Sequence, residues 1–157
     1  MKQSPDLSIA QANMKPGVIT LQGFLGPDDR NLIDILTEDD GEVKRLGLSH
    51  EQIGRRMEEM RDKGKAGLGE FIKVEPHFQV RVEIVRGKLP SPFGGPGLHR
   101  KANTTIRNEA LGKEIAYTDL QIHLIIKNGF YQGKGSYYRV GPSELAEVLE
   151  IQPEEDA

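Results

Sequence analysis

Histidine is the side chain that changes charge nearest neutral pH, and this chain has four: His50, His77, His99 and His123. His123 stands in the most suggestive company. Between Ile115 and Val140, the residues Asp119, Gln121, His123, Lys134, Ser136 and Tyr138 alternate with apolar or small ones. Such alternation predicts extended strands with one polar and one apolar face. Asn128-Gly129 separates the two runs, and Asn-Gly is the dipeptide that best tolerates the positive φ of a type I′ turn. The expected hairpin over residues 117–140 sets His123 opposite Lys134, Gln121 opposite Ser136 and Asp119 opposite Tyr138.

Two chemistries suit that face. His123 and Lys134 as cross-strand neighbours would hold an anion such as a carboxylate or phosphate, and their mutual repulsion would lower the imidazole pKa. A histidine with a nearby carboxylate is also the arrangement of a general base, with His123 or His77 as base and Asp119 or Glu83 as partner. Arg100 and Lys101 follow a stretch rich in Pro and Gly, residues 89–98. Exposed backbone N–H groups beside basic side chains can cradle an anion. The expected binding residues are therefore His123, Lys134, Tyr138, Asp119 and Gln121, with Arg100 and Lys101 from the loop.

Other chemistries are excluded or poorly supported. The chain has no cysteine, so it has no disulfide, thiolate zinc site or cysteine nucleophile. Its histidines lack the paired spacing of metal ligands. Neither a metal nor a cofactor is expected. The phosphate-binding glycine motifs and the Gly-x-Ser-x-Gly nucleophile motif are absent. A net charge of −3 argues against general affinity for nucleic acid or anionic membrane. Gly47-Leu48-Ser49, followed by Ile53, Arg55 and Arg56, resembles a helix-turn-helix signature over about ten residues. The resemblance implies that Arg55 and Arg56 approach phosphates. The acidic residues from Asp28 to Glu42 adjoin that helix and would repel DNA, so nucleic-acid binding is not expected.

The elements that must position these residues read as follows. Residues 17–25 predict a first strand. Pro27 opens a helix with Leu32, Ile35 and Leu36 at core spacing, and residues 40–46 add a short helical turn. Ser49 with Gln52 predicts the start of a second helix, with Ile53, Met57 and Met60 buried and Gly64 at its stop. Phe71–Val74 and residues 77–86 alternate as strands, with Phe78, Val80, Val82 and Ile84 inward. Residues 101–108 predict another strand before the hairpin, and Ser143 starts a last helix carrying Leu145, Val148 and Leu149. Segregated helices and strands mean α+β. The expectation is one domain over residues 14–152. It has an antiparallel sheet of about five strands, with N-terminal helices and a short C-terminal helix packed on one face. Gly133 and Gly135 mark a close approach of another element to the sheet.

Met14-Lys15 repeats the Met1-Lys2 start, which suggests that residues 1–13 extend outside the fold; residues 153–157 are expected to fray. No leading apolar run resembles a signal peptide, and no segment is long enough for a membrane helix, so a cytoplasmic location is expected. The leading expectation for function is a non-catalytic ligand-binding or protein-interaction module using the polar sheet face. Its partner would be a small anionic ligand or a protein, and not a membrane. A small enzyme with a histidine base is the alternative. A nucleic-acid binder using residues 49–65 is the third reading.

Overall fold

The computed structural model describes residues 2–154. Five α-helices, one short 3-10 turn (Lys65–Gly67) and four strands occur among them. Helix α1 (Pro5–Asn13) is followed by a long irregular segment, then α2 (Leu32–Arg45) and α3 (His50–Gly64). Strands β1 (Ile72–Val74), β2 (Phe78–Leu89), β3 (His99–Asn108) and β4 (Lys113–Thr118) form one antiparallel sheet in chain order. Helix α4 (Asp119–Asn128) leaves β4 directly, and α5 (Pro142–Val148) closes the fold. The chain is therefore α+β with an antiparallel sheet, of four strands and not five.

The sheet buries one face. Phe78, Val80 and Val82 of β2 meet Ile106 of β3 and Ile115 and Tyr117 of β4 in one core. Ile53, Met57 and Met60 of α3 pack into it, as their spacing predicts. Ser49 caps α3 by accepting the Gln52 N–H at 3.0 Å. The Tyr117 hydroxyl donates to the Met57 carbonyl at 2.8 Å, so the one polar atom of that buried ring is satisfied. Leu145, Val148 and Leu149 bring α5 into the same core. Ile84, expected inward, is 61% exposed. The last residue of α3, Gly64, packs against the preceding inward residues of β2: a Cβ there would lie 2.3 Å from Val80 and 3.0 Å from Val82.

A second core lies beside the first. Met14, Phe24, Leu32, Ile35, Leu120, Leu124 and Phe130 form it, with Ala10 of α1. Residues 5–13, expected outside the fold, thus belong to it. Gln11 accepts the Leu32 N–H at 3.0 Å and donates to the Arg30 carbonyl at 3.0 Å. Met14 is wholly buried. Residues 155–157 of the acidic end lie outside the described residues.

An expected strand and an expected hairpin are not formed. Residues 17–25 run as turns, with positive φ at Gly17 and Gly23. The expected hairpin over 117–140 is a strand end, a helix and an irregular segment. Thr118 and Gln121 form a capping box: the Gln121 N–H donates to Thr118 Oγ1 at 3.1 Å, and Gln121 Oε1 accepts the Thr118 N–H at 2.9 Å. At the other end Gly129 has φ +63° and caps α4 in the left-handed region. The Asn-Gly signal was for positive φ, and a helix stop uses that conformation as readily as a hairpin turn does.

Candidate functional site

Because α4 replaces the hairpin, the polar residues assigned to one sheet face are dispersed. His123 and Asp119 are on α4, and Lys134 and Tyr138 are on the irregular segment after it. Lys134 does not face His123. Its ammonium bonds Glu38 at 2.6 Å and its N–H donates to Asp28 at 2.9 Å. The exposed sheet face does exist on β2 and β3, but its charges pair with one another. Arg81 lies 3.2 Å from Glu83, and Arg107 lies 2.7 Å from Glu114. Phe71 packs beneath both guanidinium groups, 4.7 Å from Arg81 and 3.8 Å from Arg107.

What the fold builds instead is a cleft of about 410 Å³, within the size range of small-molecule sites. Residues 19–24 form one wall. The outer half of the β2–β3 hairpin forms another, with Val85, Leu89, Arg100 and Lys101. Thr118, Leu120 and Gln121 at the start of α4, and Gln132 and Tyr138 beyond it, complete the lining. The lining is mainly apolar, with Ile19, Leu21 and Phe24 facing Val85 and Leu89. Leu21 is 88% exposed, an apolar side chain left in water at the rim. Arg100 and Lys101 sit on the same rim, and neither has an ion-pair partner among the described residues.

Gln132 is the most constrained residue of the lining. It has φ +78°, a strained conformation for a residue with a side chain. Its carbonyl accepts Arg139 Nη1 at 2.7 Å, and Arg139 is itself held by the buried Asp39 at 2.8 and 2.9 Å. Gln132 is buried, yet its side-chain oxygen has no hydrogen-bond partner among the described residues. Nearby, Gly133 passes against the 24–25 backbone: its N–H bonds the Phe24 carbonyl at 3.0 Å, and a Cβ there would lie 2.2 Å from the Leu25 oxygen. The expected close approach is therefore real, but it is made by a loop and not to a sheet.

Of the residues expected from sequence, Arg100, Lys101, Gln121 and Tyr138 line this cleft. Gln121 serves chiefly as a brace. Besides the capping box, its amide donates to the Tyr138 carbonyl at 2.5 Å. Asp119 and His123 line a separate polar groove of about 490 Å³ between α3, α4 and the start of β3. Asp119 is held there by Arg61 at 3.3 Å, and His123 stacks on His99 with ring centroids 4.1 Å apart. Burial lowers the His123 pKa, and His99 and Lys127 lower it further. The direction matches expectation, but the basic neighbours are His99 and Lys127 and not Lys134. Arg100 lines both cavities. Sequence reasoning missed Gln132 and residues 19–24. No sequence signal marks Gln132, because its strain and orphaned amide arise only from packing.

Other histidines have structural partners. His50 joins the Tyr131 hydroxyl at 2.8 Å and Asp40 at 3.0 Å, tying α2 to the segment after α4. His77 bonds Glu150 at 2.7 Å. Arg55 pairs with Glu58 at 2.7 Å, and Arg56 donates to the Leu149 carbonyl at 3.0 Å, so α3 spends these cations within the fold. Among the described residues no His, Asp or Glu cluster is disposed to hold a metal ion, and no helix is long and apolar enough to cross a membrane. Comparison with protein-family models, characterised proteins and solved structures finds no match to this chain.

Proposed function

We propose that this protein is a non-catalytic binding module for a small molecule with an apolar body and one anionic group. The observation that carries the reading is the cleft itself: an apolar lining, and two cations at its rim with no ion-pair partner among the described residues. Apolar walls with a few convergent polar groups are the usual make-up of ligand sites. Arg100 presents a planar fork suited to a carboxylate or phosphate, and Lys101 adds a second charge. The cleft lining contains no histidine and no carboxylate, which supports binding over acid–base chemistry. The histidine-base reading is weakened by geometry, since Asp119 engages Arg61 and His123 stacks on His99.

Thermal unfolding with a panel of medium-chain and aromatic carboxylates, alkyl phosphates and matching neutral alcohols tests the reading. A bound anion at about 100 times its Kd should add about 2.7 kcal/mol of stability and raise Tm. The alcohols should shift it less, and Arg100→Ala with Lys101→Ala should abolish the difference. If no member of the panel raises Tm, or if the double substitution leaves the selectivity intact, the reading is wrong.

A further inference from the structure

The outer half of the β2–β3 hairpin leaves one strand edge open. Strand β1 pairs only with Phe78–Val80. From Arg81 to Leu89, β2 has β3 on one side, and among the described residues no other backbone group bonds it. A row of unpaired N–H and C=O groups of that length is a template for another strand. Ile84 and Val85 are 61% and 49% exposed along it. A bulge then breaks the ladder between Val85 and Lys88, and Gly87 within it has φ +107°.

The charge of this arm is segregated. Residues 84–101 contain Arg86, Lys88, Arg100 and Lys101 and no Asp or Glu, on a chain of net charge −3. Lys88 and Arg100 are direct cross-strand partners. Like charges placed opposite one another destabilise a sheet, so the isolated arm keeps an electrostatic repulsion that a neighbouring anion would relieve.

We propose that the free edge of β2 accepts an extended, acidic segment of another protein as an added strand. Backbone pairing would run along residues 81–85, with apolar side chains of the guest beside Ile84 and Val85. Its carboxylates would then meet Arg86 and Lys88 where the bulge ends the ladder. The occupant is not a second copy: an antiparallel pair centred on this stretch would set Glu83 against Glu83 and run Arg86 and Lys88 of each copy onto Val80 and Phe78, an edge that β1 already fills. Nucleic acid suits the edge less well. It offers no strand to pair with the open backbone, and the acidic remainder of the chain would repel a polyphosphate extending past the arm. Arg86 and Lys88 do not line the cleft, while Val85 borders both sites; the proposal does not rest on the ligand-binding reading, and substitution of Arg86 and Lys88 leaves the cleft lining unchanged.

The test uses the full chain and three probes: a short peptide of alternating Val and Thr ending in glutamates, the same peptide ending in lysines, and a single-stranded oligo-dT. Backbone NMR should show the acidic peptide perturbing amides of 81–89 and slowing their hydrogen exchange. Arg86→Glu with Lys88→Glu, both exposed positions, should weaken it by about tenfold or more while leaving the rest of the spectrum in place. The lysine peptide should not bind. Equal binding of both peptides, absence of protection at 81–89, oligo-dT binding at the arm in place of the peptide, or self-association through this edge would each overturn the proposal.

Discussion

Residues 78–84 and 120–126 carry the same pattern and adopt different structures. Phe78, Val80, Val82 and Ile84 alternate with polar residues, as do Leu120, Ile122 and Leu124 with Gln121 and His123. The first run is strand and the second is helix. The difference lies in how many cores each segment serves. Strand β2 serves one: Phe78, Val80 and Val82 point to the α3 side, and the alternate residues face water. Helix α4 serves two. Leu120 and Leu124, one turn apart, enter the second core, while Ile122 and Ile125, three apart, enter the first. Two helical stripes on different sides of one helix interleave in sequence into an apparent period of two. A helix buried on two sides therefore resembles a half-buried strand when its residues are read one by one.

That comparison can be broken by substitution. The largest effect is expected from Leu124→Ala and Ile125→Ala, adjacent residues that are 0% and 2% exposed. Each should cost about 2–5 kcal/mol in urea unfolding. A strand would bury only one of such a neighbouring pair, so a negligible cost at Ile125 would restore the hairpin.

Next comes Thr118→Ala, which removes the Oγ1 acceptor of the capping box. It should destabilise the protein by about 0.5–2 kcal/mol and reduce helicity locally. An unchanged urea midpoint would mean that α4 needs no cap.

A smaller, pH-dependent term is expected at His123. Burial, His99 and Lys127 lower its folded pKa, so the unfolded chain binds the proton more tightly. Stability should fall as pH drops through the ordinary imidazole range near about 6.5, and the loss should level off below the folded value. His99→Gln removes one of the causes and should flatten that slope. If urea midpoints across pH 5 to 8 are the same in wild type and variant, the stacked pair contributes no coupling.

The smallest effect is expected at the end of β2. Ile84→Thr, at a position 61% exposed, should change stability by no more than about 0.5 kcal/mol. A cost like that of Leu124→Ala would show that something covers the arm in the isolated protein.

Much of the fold was legible before any coordinates. The α3 cap at Ser49 and its Ile53, Met57 and Met60 stripe, the inward residues of β2 as far as Val82, and the α5 core residues all follow from local pattern. Each of these depends on one segment facing one core, and a linear pattern records that directly. The site was less legible. Arg100 and Lys101 were found as basic residues beside a glycine-rich loop, and the cleft does use them. The apolar wall at 19–24 lies within a stretch, 17–25, whose Val18, Ile19 and Leu21 are as apolar as a strand's, so composition alone does not distinguish it from one.

By itself, then, the sequence determined an α+β chain with an antiparallel sheet, the capped helix α3 and the basic residues Arg100 and Lys101 after a loop rich in Pro and Gly. These follow from capping chemistry, periodicity and charge, which are properties of neighbours along the chain. Tertiary structure alone decided that 119–128 is helix, because that outcome depends on two cores lying on either side of it. It also decided that Lys134 pairs with Glu38, that His123 meets His99, and that Gln132 is held strained at a cleft by the Arg139–Asp39 pair. Those contacts join residues far apart in the chain, and no local preference of either partner encodes them.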